Sequence, residues 1–461
     1  MTATMKYDCL IVGGGVTGTA LLYTLSKFTD MKRLCLVEEL DRAAQGNSNA
    51  HHNSQTIHSG DIASNYPPSR APEIKRAADM VVNYATKLSP RERDHIIHRM
   101  PKMLLGVGEQ ECGYIRRRYQ EFQHLYPRMQ LLDKHAIADI EPNVALIDGS
   151  WRKDEIIATG TPDDYSAVDF QTLSESFTSA CVRMDRHTDK QITQLFGTKV
   201  TEIRKDGSDY ELETSRGLLL ARSVVVCAGG ASLEMAQRMG IGLEYTTLPL
   251  AGSFYFSPKA LNGKVYRVQN PKLPFAAIHG DNDIKERGKT RFGPTALMLP
   301  MLKRGRGSAV GGLLSVLKDD TELAATLRAW LKARDSRNHL LRNFLYEVPA
   351  LNRHFFAQEI RKIVPDLKAR DIEYAEGFGG VRPLLIDKEA KKLKMFEPKI
   401  TDGAGIVFNM TPPPGGTGCL SNAERDMRLL ARHLGASIDE NAFEQELLRG
   451  YQDMPELAAT G

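Results

Sequence analysis

The sequence predicts an α/β dinucleotide-binding domain of the doubly wound, Rossmann type, interleaved with a second, α+β domain built on a mixed sheet. Three observations carry that expectation. The chain opens on an apolar strand, a GxGxxG turn, a helix and a second strand. A later stretch, 194–230, alternates apolar and polar residues between tight turns. The closing part runs strand, Gly/Pro loop, helix, and no internal repeat or low-complexity linker separates the units.

The first unit is "YDCLIVGGGVTGTALLYTLSKF". Tyr7–Val12 is an apolar run broken only by Asp8, and it reads as a parallel strand buried on both faces. Gly13, Gly15 and Gly18 follow: the first for a tight turn, the second for close approach of backbone to a pyrophosphate, the third for packing of helix on strand. Val16 and Thr17 begin that helix, whose free N–H groups and partial positive charge suit an anion. "RLCLVE" reads as the second strand and ends at Glu38, placed to accept hydrogen bonds from an adenosine ribose. No second GxGxxG occurs, so a resident dinucleotide is expected rather than an additional NAD(P) site.

Next comes "NSNAHHNSQTIHSGD", residues 47–61, with three histidines and Ile57 as its one long apolar side chain. It fits neither a core strand nor a helix interior. Residues 72–87 and 113–125 read as helices on their apolar spacing. Residues 194–230 read as a meander with turns at Asp206-Gly207 and Ser215-Arg216-Gly217, ending in the buried run Ser223–Ala228. "LPLAGSFYFSP" and "FAAIHGDNDIKERGKTRFGPTALMLP" suggest long strands of a second sheet, and 316–364 reads as largely helical and basic.

Composition excludes several classes. The 461 residues are 42% hydrophobic and 26% charged, with a net charge of +4, and at roughly 100–200 residues per domain the length suits two. The chain has no basic run of the kind that binds nucleic acid and no apolar stretch long enough to span a bilayer. The six scattered cysteines form no CxxC pair, so neither a disulfide framework nor a metal site is expected, and a reducing, intracellular compartment is.

Together, the GxGxxG unit, "VVVCAGGAS", "GFGGVRP" and "PPPGGTG" resemble the FAD-dependent oxidoreductases of the D-amino-acid oxidase superfamily. "NSNAHHNSQTIHSGDIASNYPPSRA", "RFGPTAL" and "PPPGGTGCLSNAERD" are most similar to malate:quinone oxidoreductases, with the L-2-hydroxyglutarate dehydrogenases as close cousins. The likeness runs in order along nearly the whole chain and is weakest at 85–195 and 305–370. Where the family pattern has alanine and glycine before its histidine, this chain has Ser54-Gln55-Thr56-Ile57.

The resemblance implies FAD, held by residues 1–75, 195–240 and 375–461, with 76–194 and 241–374 forming a substrate and membrane-facing domain. It implies that the 47–61 segment runs beneath the ribityl chain and along the flavin ring. Ser48, Asn53, Ser54, Gln55 and Thr56 would line the cofactor, and His58 would sit beside the flavin. Val200, Ala228, Gly229 and Gly380 complete the implied cofactor contacts.

Oxidising a 2-hydroxy acid requires a base, a hydride acceptor and cations for the carboxylates. Histidine is the usual base near neutral pH, and the resemblance points to His279. Arg382 would clamp a carboxylate in a bidentate fork, and Arg291 is a candidate for the second. Gly415, Gly416 and Thr417 open the last helix, whose N–H groups would stabilise negative charge on the reduced flavin.

The expected reaction is oxidation of L-malate with electrons passed to a membrane quinone, at the cytoplasmic face of the cell membrane. Residues 301–370 carry 14 Lys/Arg against 7 Asp/Glu, which suits peripheral contact with an anionic surface. The alternatives are another 2-hydroxy-acid dehydrogenase or oxidase, such as one for L-2-hydroxyglutarate, and a non-catalytic flavin-binding protein.

Overall fold

The computed structural model describes residues 5–62, 64, 66–269, 277–298, 338, 342–343, 345–346, 352–390, 392–394, 399–410 and 415–450. Within these, the side chains of residues 248, 297–298, 382, 392–394 and 399 are not described.

A six-stranded sheet organises the part that holds the GxGxxG turn, in the order Lys399–Thr401, Ile406–Asn409, Val224–Val226, Cys9–Val12, Arg33–Val37, Gln191–Leu195. Its pairings are parallel except for the first. The helices Val16–Phe28, Phe170–His187 and Cys419–Leu434 cover one face, and their apolar residues join one core with Ile11, Leu34, Leu36, Val225 and Val407.

The stretch 194–230 divides between two sheets. Val200–Asp206, Asp209–Thr214 and Gly217–Ala221 form the expected meander and pair onward to Lys6–Tyr7. Val224–Val226 leaves it for the centre of the parallel sheet, because three consecutive valines suit a strand buried on both faces.

The second sheet has eight strands, in the order Glu373–Tyr374, Tyr255–Pro258, Lys289–Gly293, His279–Asn282, Lys264–Arg267, Ile97–Val107, Ile156–Val168, Gln130–Leu132. Side chains alternate between the faces of a strand, and here the faces differ in kind. Met103, Val265, Phe292 and Tyr255 lie in an apolar cluster with Phe356, Ala357 and Ile360 of the helix Asn352–Ile360. One residue along, the cross-strand row Thr161, Lys102, Lys264, Asp281, Arg291, Phe256 crosses six strands and carries four charges. All six are buried, yet none belongs to that apolar cluster.

Some expectations shift. "LPLAGSFYFSP" is two strands in different sheets, Tyr245–Ala251 beside Val381–Asp387 and Tyr255–Pro258 in the eight-stranded sheet. The helix expected at 72–87 spans Ala71–Thr86. The one expected at 113–125 spans Glu109–Phe122, because Gly108 (φ +81°) turns the chain and Glu109 and Glu111 favour the first turn. Of the stretch 316–364, expected to be helical and basic, most lies outside the described residues, as do residues 411–414 of the expected Gly/Pro loop. Among the described residues, no helix is long and apolar enough to cross a membrane.

Candidate active site

The nucleotide end is built from close approaches that only glycine permits. Gly13 has φ +109°, and a Cβ there would stand 2.4 Å from Cys227 O. A Cβ on Gly18 would stand 1.9 Å from Gly13 O, so the helix could not pack on its strand. The Glu38 carboxylate accepts from the N–H groups of Gly14 (2.5 Å) and Leu40 (2.9 Å). Ser48 Oγ accepts from Val16 N–H at 2.9 Å, and a Cβ on Gly15 would meet that same oxygen at 3.2 Å. Thr17 is the next residue of that helix turn, half-buried.

Ala228 and Gly229 (φ +57°) lie beside the Gly13 turn, because Cys227 N–H donates to Val12 O at 2.7 Å. Thr198 N–H donates to Glu38 O at 2.8 Å, which brings Val200 to the same region. The residues fit a dinucleotide: a glycine-lined turn, a helix N-terminus and an acid whose carboxylate reaches that turn.

The 47–61 segment has little secondary structure of its own, so its backbone polar groups need partners from elsewhere. Arg291 Nη1 donates to Asn53 O (2.6 Å) and Ala50 O (3.2 Å), and Lys264 Nζ to Ser54 O (3.2 Å). Tyr126 OH donates to Ser59 O (2.6 Å) and Arg118 Nη2 to Gly60 O (2.9 Å). Asn53 braces the turn from within, its amide donating to Asn49 O at 2.8 Å. Thr56 Oγ1 accepts from Tyr266 OH at 3.0 Å.

Gln55 sits at φ +52° and its side chain bonds Ala50 O and Ile284 N–H. It thereby fills a place where a small residue would leave room. Gly380 backs onto the segment from the other side: a Cβ there would stand 2.6 Å from His52 O, and Gly379 N–H donates to His51 O.

The charged row of the eight-stranded sheet faces this segment. Lys264 Nζ lies 3.2 Å from Asp281 Oδ1, and His279 Nε2 lies 3.1 Å from Asp281 Oδ2. That last contact is an ion-pair distance without hydrogen-bond alignment. Burial by itself would raise the Asp281 carboxyl, but the Lys264 ammonium and then His279 hold it down at about 2. Burial lowers Lys264, and Asp281 works against that. Further along the row, Lys102 bonds Ser59 Oγ and pairs with Asp61 (2.7 Å) and Asp164 (3.0 Å), so its ammonium is favoured despite complete burial.

His279 and His58 flank one ring. Tyr266 stacks on His279 (4.0 Å between centroids, 11° between planes) and meets His58 edge-on at 5.8 Å. His58 N–H donates to Thr417 Oγ1, which ties the segment to the turn preceding the helix Cys419–Leu434. Gly416 packs there on the Phe170 ring, 2.7 Å from an added Cβ, with Gly415 half-buried beside it.

Two expected carboxylate clamps stand differently. Arg291 is buried, paired with Asp283, bonded to two carbonyls of the segment and ringed by Phe254, Phe256 and Phe378. This geometry braces the segment, with Nε and Nη2 buried and lacking hydrogen-bond alignment to any partner. Arg382 pairs through its backbone with Leu250, and its side chain lies outside the described residues.

Sequence reasoning missed Lys102, Lys264, Tyr266, Asp281 and Asp283. The available signal was charge at alternate positions of short strands, in "HGDND" and "KTRF". Such alternation ordinarily marks a solvated face, and only the fold shows this one to be buried.

A family model described as malate:quinone oxidoreductase matches residues 5–398. The chain is 42% identical to a probable malate:quinone oxidoreductase of Campylobacter jejuni, over 96% of this chain and 99% of that protein. It is 40% identical to the malate:quinone oxidoreductase of Helicobacter pylori, over 96% and 98%. Among solved structures, a glycine oxidase from Geobacillus kaustophilus superposes with a TM-score of 0.62 at 18% identity, covering 93% of this chain and 95% of that one. An L-α-glycerophosphate oxidase from Mycoplasma pneumoniae, with FAD bound, does so at 0.60 and 18%, covering 92% and 95%. At that identity the structural likeness speaks for the fold alone.

Proposed function

This chain belongs to the malate:quinone oxidoreductase family, and we propose that it oxidises L-malate to oxaloacetate, with FAD as resident cofactor and a membrane quinone taking the electrons. The observation that carries the reading is identity of 40–42% with malate:quinone oxidoreductases along 96% of the chain. Residues 1–75, 195–240 and 375–461 form the FAD-binding domain in this reading, and 76–194 with 241–374 the domain that meets substrate and membrane.

Gly13, Gly15 and Gly18 with the N–H groups of Val16 and Thr17 would hold the pyrophosphate. Glu38 would exchange its Gly14 contact for the ribose hydroxyls. Val200, Ala228 and Gly229 would border the adenosine half. Ser48, Ser54, Thr56 and Gly380 would border the flavin half, while Asn53 and Gln55 hold the segment's shape. When bound, FAD supplies the hydride acceptor and the route for electrons onward. Gly415, Gly416 and Thr417 would offer N–H groups where negative charge grows.

On the substrate side, His279 takes the C2 hydroxyl proton of malate. Arg382 grips a carboxylate, and His58 provides a polar contact beside the ring. Arg291 moves from clamp to brace, because Asp283 already neutralises it. The enzyme sits on the inner face of the membrane, where its acceptor resides, and no NAD(P) takes part.

The test is anaerobic mixing of FAD-loaded protein with L-malate. Bleaching of the visible flavin band, reversed by a soluble quinone, is the expected result. A band that L-malate leaves intact but L-2-hydroxyglutarate bleaches would move the substrate, and a band untouched by either would overturn the reading.

A further inference from the structure

A general base on a sheet strand needs its ring held in one plane and its proton kept on one nitrogen. Around His279 a stacked ring supplies the first, and a carboxylate at ion-pair distance from Nε2 bears on the second. Tyr266 stacks on one face of the ring and is itself pinned through its hydroxyl to Thr56. Two residues on, and on the same face of the strand, Asp281 brings Oδ2 to 3.1 Å from Nε2. Asp281 cannot readily turn away. It sits opposite Lys264 across the strand pair, and Lys264 Nζ holds both Oδ1 and Ser54 O at 3.2 Å. The side chains of His279, Asp281 and Lys264 are 4%, 2% and 0% exposed, so water does not screen the arrangement.

We propose that Asp281, clamped by Lys264, is the positioning residue for His279. The proposal rests on the reading of His279 as the base. At ion-pair distance the carboxylate favours a proton on Nε2, and the base then acts through Nδ1, which exchanges its 3.3 Å approach to Ala277 O for the malate hydroxyl. In the reaction the malate O–H bond breaks and an Nδ1–H bond forms. The C2–H bond breaks as C2=O forms, and FAD, when bound, would supply the acceptor for the hydride that leaves. The imidazolium that results has Asp281 at one edge and Ala277 O, 3.3 Å from Nδ1, at the other. The other charged groups around this pair are Arg291, next to Asp281 in the row, its partner Asp283, and His58 beyond Tyr266.

The experiment uses FAD-loaded enzyme and follows anaerobic flavin reduction by L-malate in stopped flow from acid to alkaline pH. Asp281→Asn keeps the shape and removes the charge. The expected result is reduction slowed about 10- to 100-fold, within the usual contribution of a positioned base, with a displaced pH profile. Reoxidation by a soluble quinone stays at the wild-type rate, and Asp281→Glu recovers part of the loss. Asp281→Asn that retains FAD and reproduces the wild-type rate and pH profile overturns the proposal.

If Asp281→Asn fails to fold, because Lys264 is left unpaired, the double variant Lys264→Met with Asp281→Asn removes both charges. Wild-type reduction by that variant also overturns the proposal. His279→Gln separates the two claims. Wild-type reduction by His279→Gln removes the base reading itself, whereas slow His279→Gln beside unaltered Asp281→Asn removes only the role of Asp281.

Discussion

Lys264 illustrates what a single buried charge does here. Its ammonium is completely buried, pairs with Asp281 and caps the Ser54 carbonyl. Replacing both members of a buried pair can be nearly neutral, but removing one leaves an uncompensated charge. Lys264→Met is therefore expected to cost about 3–5 kcal/mol of stability and to lower FAD retention, read by urea denaturation and by bound-flavin absorbance. Wild-type stability in that variant would mean that Asp281 finds another partner. Gln55 makes the complementary point: its amide contacts to Ala50 O and Ile284 N–H hold a residue whose backbone sits at φ +52°.

Elements acquire function here through which face they present. Along the strands Lys264–Arg267, His279–Asn282 and Lys289–Gly293, Val265 and Phe292 join an apolar cluster while Lys264, Asp281 and Arg291 face the other way, and all five are buried. The charged side takes the place of the secondary structure that 47–61 lacks. At the helix Val16–Phe28 the first turn is capped from outside, by Ser48 of that same segment. Ser48→Ala removes an acceptor from the helix N-terminus, and losses of this kind run to about 0.5–2 kcal/mol. The expected outcome is a lower urea midpoint and weaker FAD binding, measured by cofactor titration of stripped protein. An unchanged midpoint and affinity would deny the cap any role.

Across the whole molecule, buried carboxylates set opposite slopes of stability with pH. Asp281 is held down at about 2 from an ordinary 3.8, and Asp61 is also lowered, with the Lys102 charge overcoming burial. Both contribute stability that is present above the unfolded carboxylate value and lost as pH falls through the lower folded one. Glu141 runs the other way. Burial lifts it from 4.5 to about 7, against the opposing N–H groups of Asn262 and Gly263. Its contribution is complete below 4.5 and disappears as pH rises to about 7. Melting temperature should therefore fall steeply below pH 4 and decline gently between 4.5 and 7. Glu141→Gln should flatten the gentle decline and leave the acid limb in place. A variant whose profile matches wild type across that window would remove Glu141 as its source.

The nucleotide-binding turn was legible in the residues because everything that makes it is local. Strand, three glycines, helix and acid lie within 32 residues, from Tyr7 to Glu38, and Gly13 makes the tight turn and Gly18 the close helix packing that the spacing implied. The polar segment was legible as an anomaly, and the family resemblance implied a place for it beside the cofactor. What holds it was not. Lys264 is 210 positions from the carbonyl it caps, and Arg291 is 238 from Asn53. A charged residue at an alternate strand position reads the same whether its face meets water or protein. Only pairing of Lys102, Lys264, Asp281 and Arg291 across adjacent strands, beneath a segment unable to satisfy its own backbone, makes that row an interior.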